Sequence, residues 1–174
     1  MTIELLQGDI TRVKTDAIVN CTTIKLVIGG GALDMAIHRA AGPGLMEACQ
    51  RIIGEKKNIA IGECVITDAY KLPCKKVIHT AGPVYMGGSW NEAEHLAGCY
   101  RSALVAADEA HCESIAFPNL CTGAHTYPKQ SAAVIALDTV RKMLPTLTAL
   151  KRVVFVCLEE ENYRIYNQLL SAET

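Results

Sequence analysis

The chain has 174 residues, half of them hydrophobic, with only two Phe and one Trp, and a formal net charge of −1. Its apolar mass is Ala, Val, Ile and Leu, which excludes a disordered chain and predicts one compact α/β domain over 1–174. A charge so near zero excludes general electrostatic attraction to DNA, RNA or an anionic membrane, so an anionic ligand must be held by local groups.

The opening "MTIELLQGDI" lacks the basic segment and apolar core of a signal peptide. No apolar run approaches the ~20 residues of a membrane span. The eight cysteines include no CxxC pair; Cys21, Cys64, Cys99, Cys112 and Cys157 sit singly among apolar residues. They are read as reduced core residues of a soluble cytoplasmic protein, with no metal site expected.

In chain order, short β-branched runs alternate with longer amphipathic ones. "IELLQ" (3–7) and "DAIVN" (16–20) read as strands, and a helix is predicted over 32–53. "CVITDA" (64–69) and "KVIHTAG" (76–82) follow as strands, then a helix over 91–111 whose Asn91 and Glu94 have capping-box spacing. "SIAFP" (114–118), a helix over 129–144 opened by Pro128, "RVVFVCL" (152–158) and a helix over 159–170 complete the chain. This alternation predicts a largely parallel sheet with helices on both faces. His79, ending a predicted core strand, is read as a structural imidazole, and "EEEN" (159–162) as a helix start whose acids suit the dipole.

In such sheets ligands bind beyond the carboxyl ends of the strands. Four loops there carry unusual residues: "QGDIT" (7–11), "NCTTIKLVIGGG" (20–31), "HTAGPVYMGG" (79–88) and "PNLCTGAHTYP" (118–128). Backbone N–H groups of a glycine-rich turn, backed by a helix N-terminus, can surround a phosphate without Lys or Arg. Gly29, Gly30 and Gly31 form one such loop, but neither a Walker nor a dinucleotide spacing is present, and a plain tight turn explains them equally well. "CTGAHTYP" supplies a second, so that two loops can hold a diphosphate from both sides.

The ordered set "QGDIT", "DAIVN", "GGGALDMAIHRAAGPG", "HTAGPVY", "FPNLCTGAHTYP" and "VVFVCLEEENYRIY" resembles the macro domain family over nearly the whole chain, closest to its MacroD-type branch with the bacterial O-acetyl-ADP-ribose deacetylases. The resemblance implies a three-layer α/β/α fold with a mixed, largely parallel sheet and ADP-ribose lying across the strand ends. It implies Asp9 as acceptor for the adenine amino group beside the Ile10 backbone, and Asn20 on the distal ribose. Gly29, Gly30, Gly31 and Ala32 would line the distal ribose and diphosphate. Cys121, Thr122, Gly123, Ala124 and His125 would hold the phosphates and the distal sugar. From the residues alone, without that resemblance, Asp9 is read as capping a turn.

In the MacroD-like pattern GGGGVDGAIH an Asp follows the glycines four residues before a His, as Asp34 and His38 do here. Asp34 is the candidate catalytic residue, orienting or deprotonating a water; as a first-turn Asp it also complements a helix dipole. The chain departs from the family at "VNCTT", where VNAAN has a second Asn and this chain has Thr23, the other candidate catalytic position. It departs again in one extra residue before the glycines, and at His125 and Thr126, where relatives have an aromatic and a Gly. Cys121 stands in a Ser position, which accounts for it better than a nucleophile paired with His125. The expected function is a metal-independent hydrolase of ADP-ribose esters with no cofactor, its partners ADP-ribose, its esters or mono-ADP-ribosylated proteins. The alternative is a non-catalytic ADP-ribose reader. An RNA module ranks last for want of a basic surface.

Overall fold

A computed structural model describes residues 1–172. Its strands are β1 (Thr2–Gln7), β2 (Ala17–Thr22), β3 (Cys64–Asp68), β4 (Lys76–Ala81), β5 (Ser114–Phe117) and β6 (Arg152–Cys157); its helices are α1 (Ala32–Ala41), α2 (Pro43–Lys56), α3 (Glu92–Glu109), α4 (Lys129–Met143) and α5 (Glu160–Ser171). They form one six-stranded sheet in the order β1-β6-β5-β2-β4-β3. Every pairing is parallel except that of β3 with β4, which is antiparallel at the edge.

Side chains alternate across the strands, and the two sets serve two cores. Val19, Phe117, Val153 and Phe155 face one side with α3, α4 and α5, around the packed rings of Tyr100, Phe117, Phe155 and Tyr166. Ile18, Val77, Ala116, Val154 and Val156 face the other, under Ile37 and Ala41 of α1 and Leu45 of α2. The result is three layers, α/β/α. All eight cysteines are free thiols, and all but the half-buried Cys64 are buried.

Two local expectations fail for stereochemical reasons. The helix predicted over 32–53 is two helices, because Gly42 turns to φ +82°, ψ −179° between them and Pro43, lacking an N–H, starts the second. No capping box forms at α3: Asn91 is left-handed (φ +61°) and its side chain caps nothing. Glu94 pairs with Arg101 instead, and the buried Glu92 accepts the Trp90 N–H at 2.8 Å. No helix among the described residues is long and apolar enough to cross a membrane.

Candidate functional site

The carboxyl ends of β1, β2, β5 and β6 open onto a cleft of about 450 Å³. One wall comes from Gly8, Asp9, Ile10 and Thr11 after β1, with Leu158, Glu159 and Asn162 leading into α5. The far wall comes from Gly30 and Gly31 with the first turn of α1, facing the loop Pro118–His125 after β5. Of the expected binding residues, Asp9, Ile10, Gly30, Gly31, Ala32, Cys121, Thr122, Gly123, Ala124 and His125 line this one cleft. Asn20 and Asp34 do not, being fully buried beneath it, and the half-buried Thr23 and the exposed Gly29 also fall outside its lining. Glu159, Asn162 and Cys21 line the cleft without having been singled out for it. The rule that ligands sit beyond strand ends would have found the first two, which follow β6 directly.

Asp9 sits before a single turn of 3-10 helix, where its Oδ1 accepts from the Thr11 N–H (2.9 Å) and Thr11 Oγ1 (2.7 Å). Its side chain remains half exposed. The turn-capping reading therefore describes its contacts, and Oδ2, 4.0 Å from Arg12 Nε, has no closer partner among the described residues.

Asp34 has no exposed surface. Its Oδ2 accepts from the backbone N–H groups of Gly29 (3.1 Å) and Gly30 (3.2 Å), and its Oδ1 accepts from Asn20 Nδ2 at 2.8 Å, with His38 Nε2 3.4 Å away. The carboxylate thus pulls the glycine loop down onto the end of β2. Gly30 has to be glycine for that approach, because a Cβ there would lie 2.6 Å from the Cys21 carbonyl oxygen. Gly31 then turns to φ +118° to start α1.

Beneath Asp34 the polar chain continues. The second hydrogen of Asn20 Nδ2 points to His79 Nδ1 (3.2 Å), and His79 Nε2 lies 3.0 Å from Thr67 Oγ1. This requires a neutral His79 protonated on Nε2. Complete burial, aided by repulsion from His38, lowers its pKa to about 3. Burial likewise lowers His38 despite the neighbouring carboxylate. Asn20 Oδ1, His38 Nδ1 and Thr23 Oγ1 are buried with no hydrogen-bond partner among the described residues. Unsatisfied groups of this kind cluster where a ligand or water is to be received.

Opposite, the β5–α4 loop is held by Tyr127 N–H to Cys121 O (2.8 Å), Thr126 N–H to Gly123 O (2.9 Å) and Tyr85 N–H to His125 O (2.9 Å). Its left-handed residues are Cys121 (φ +67°) and Thr126 (φ +58°), not Gly123, around which a Cβ would meet open space. Within the described residues the N–H groups of Thr122, Gly123 and Ala124 donate to no protein acceptor, and neither do those of Ala32 and Leu33 at the start of α1. Among the described residues, no Lys or Arg lines the cleft. Residues with unpaired amides line it on two sides, one of them at the N-terminus of α1, an arrangement suited to an anion with two charged centres.

Two glycine-edged amide clusters at the strand ends of a three-layer sheet, with a locked carboxylate below one of them, define an α/β fold with an anion-suited cleft at its strand ends. Residues 19–136 match the Macro domain family, and the chain belongs to that family. It is 46% identical over 171 residues to the O-acetyl-ADP-ribose deacetylase of Salmonella gallinarum, covering 98% of this chain and 95% of that one. It superposes on the Oceanobacillus iheyensis macrodomain with ADP at a TM-score of 0.92 and 38% identity, over 98% of this chain and 90% of that one. The Trypanosoma brucei macrodomain in complex with ADP-ribose matches with a TM-score of 0.87 and 37% identity, over 97% of this chain and 68% of that one.

Proposed function

We propose that the chain binds ADP-ribose and hydrolyses its esters, O-acetyl-ADP-ribose and the mono-ADP-ribose esters of acidic protein side chains. The observation that carries this is the convergence of two sets of unpaired backbone N–H groups on one cleft directly above the Asp34 carboxylate. Similarity to the Salmonella deacetylase and to macrodomain complexes with ADP and ADP-ribose supports it.

In this reading the diphosphate lies between the start of α1 and residues 122–124, where amides supply the positive potential that side chains do not. Adenine lies toward Asp9, whose free Oδ2 suits an exocyclic amine. The distal ribose lies toward Gly30 and His125. Hydrolysis needs a water aimed at the ester carbonyl, and Asp34 is the nearest carboxylate below the glycines. With Gly29 and Gly30 bonded to it, that carboxylate is sealed. Catalysis therefore requires the glycine loop to lift from Asp34 when substrate enters, which frees one carboxylate oxygen to orient or deprotonate the water. The Asn20–His79–Thr67 chain keeps the carboxylate in place as this happens. A cytoplasmic location agrees with eight free thiols.

The sealed Asp34 and the partnerless Thr23 hydroxyl also favour a second reading, an ADP-ribose reader without turnover. One experiment separates them. Protein treated with a chelator is incubated with O-acetyl-ADP-ribose and with a glutamate-linked ADP-ribosylated protein, and acetate or ADP-ribose release is followed by NMR. Release at a rate proportional to protein is expected. Tight calorimetric binding of ADP-ribose with no release from either substrate selects the reader; no binding overturns both.

A further inference from the structure

Cys21, at the end of β2, and Cys121, in the β5–α4 loop, are 100 residues apart in sequence, yet their sulfurs lie 3.9 Å from one another in the cleft wall. A ring nitrogen of His125 completes a triangle in which all three donor atoms fall within 4.8 Å. Both cysteines retain about 5% exposure as residues and, with His125, line the cleft, so an ion has a route of entry.

We propose that Cys21, Cys121 and His125 form a binding site for one thiophilic divalent ion of the zinc class, with the fourth coordination position left to water from the cleft. Two thiolates about 2.3 Å from a tetrahedral zinc ion stand roughly 3.8 Å apart, close to the separation already present before any ion enters. The donor set, two soft sulfurs and an imidazole, matches zinc and not magnesium or calcium.

Three further features preorganise the triangle. Gly82, at the end of β4, brings bare backbone against both sulfurs: a Cβ there would overlap Cys121 Sγ and lie 3.0 Å from Cys21 Sγ. The His125 ring is fixed, with Nδ1 3.1 Å from the Pro83 carbonyl oxygen. Cys121 is held left-handed, a conformation unusual for a residue with a side chain, which directs its sulfur at Cys21. The contact between the sulfurs lowers the Cys21 thiol below its ordinary value, while the same contact and burial raise Cys121. Binding therefore displaces the thiol protons into solvent as two Zn–S bonds and one Zn–N bond form, and it weakens as pH falls.

The other cluster of this kind, His38, Cys49 and His79, is closed off: all three residues are buried, and His79 is engaged on both ring nitrogens. Because Cys121 and His125 belong to the loop whose amides face the cleft, an ion here ties the end of β2 to that loop.

The test is a titration of the full chain with Co2+ under reducing conditions, followed by displacement with Zn2+. One equivalent of cobalt is expected to give thiolate-to-metal charge-transfer absorption and the intense visible bands of a tetrahedral site, both removed by Zn2+. Outer-shell substitutions weaken metal sites 10- to 100-fold, so loss of a ligand in Cys21→Ser or Cys121→Ser should weaken binding by roughly 100-fold or more. Gly82→Ala, which keeps all three donors but displaces Cys121, should weaken it as well. Cys49→Ser should leave the signal intact. Circular dichroism establishes that each variant is folded, and any folded cleft-cysteine variant decides the matter. Absence of charge transfer in the wild type, its persistence in a folded Cys21→Ser or Cys121→Ser, or its loss only in Cys49→Ser overturns the proposal.

Discussion

Asp34 is an anchor in the resting geometry, because each of its oxygens already accepts hydrogen bonds and none of its surface meets solvent. Anchoring and water activation separate in Asp34→Asn. The amide keeps the shape and one acceptor oxygen but cannot take a proton, and its NH2 faces either the Gly29 and Gly30 donors or the Asn20 donor. We expect a stability loss of about 1–3 kcal/mol by urea unfolding, from a donor left without its acceptor. Turnover of O-acetyl-ADP-ribose should fall roughly 10²- to 10⁴-fold with KM nearly unchanged. Undiminished kcat would reduce Asp34 to its anchoring role. Thr23 is tested in the opposite direction: Thr23→Asn restores the amide of the VNAAN pattern in place of a buried hydroxyl that has no partner among the described residues. A higher rate is expected by initial-velocity measurement. An unchanged rate would mean that the longer loop, not the missing amide, governs the geometry.

At the scale of elements, the corner between α1 and α2 depends on Gly42, whose φ +82°, ψ −179° is open to glycine almost alone. Gly42→Ala should cost about 1–3 kcal/mol in chemical denaturation. In the β5–α4 loop, Thr126 is a β-branched residue held at φ +58°. Thr126→Gly removes a strain of about 1–2 kcal/mol but loosens the unfolded chain by about 0.4–1 kcal/mol. A net gain of ~0.5–1 kcal/mol is expected, and a measured loss would show that the Thr126 side chain contributes packing that outweighs its strain. These positions show what the sequence could and could not reveal. The strands were legible because β-branched runs such as "RVVFVC" are buried on both faces and bounded by polar turns. The helix break was not, since "AAGPGL" reads as a continuous apolar stripe unless the sign of φ at Gly42 is known. Asn91 failed as a cap for the same reason. In the site, the glycine loops and the turn capped by Asp9 were legible as local patterns, whereas a binding role for Asp9 rested on the family resemblance alone. The Asn20 contacts to Asp34 and His79 and the Cys21–Cys121 pair were not legible, because they join residues distant in sequence that only the arrangement of the sheet and its loops brings together.

For the molecule as a whole, the buried network makes folding sensitive to mild acid. His79 is neutral in the folded state, its pKa lowered to about 3 by burial, whereas in the unfolded chain it titrates near its ordinary ~6.5. Below ~6.5 the unfolded chain takes up a proton that the native state refuses. Stability is therefore greatest above that pH and falls as pH drops toward 3. At pH 5 the gap of ~1.5 units corresponds to about 2 kcal/mol from His79 alone, with His38 acting in the same direction. The carboxylates with lowered pKa, among them Glu4 beside Arg152 and Asp16 beside Lys75, start to lose their contribution only as pH approaches their ordinary values near 4. The window between pH 6.5 and 5 thus reports the histidines. Urea unfolding at pH 7 and pH 5 should show a loss of at least ~2 kcal/mol for the wild type. His79→Gln should start from lower stability, because it disturbs the contacts to Asn20 and Thr67, yet lose less on acidification. A wild-type stability that stays flat between the two pH values would mean that the ring accepts a proton in place. His79 Nδ1 could then no longer accept from Asn20, and Asn20 could not be held against Asp34 in the manner the proposed chemistry requires.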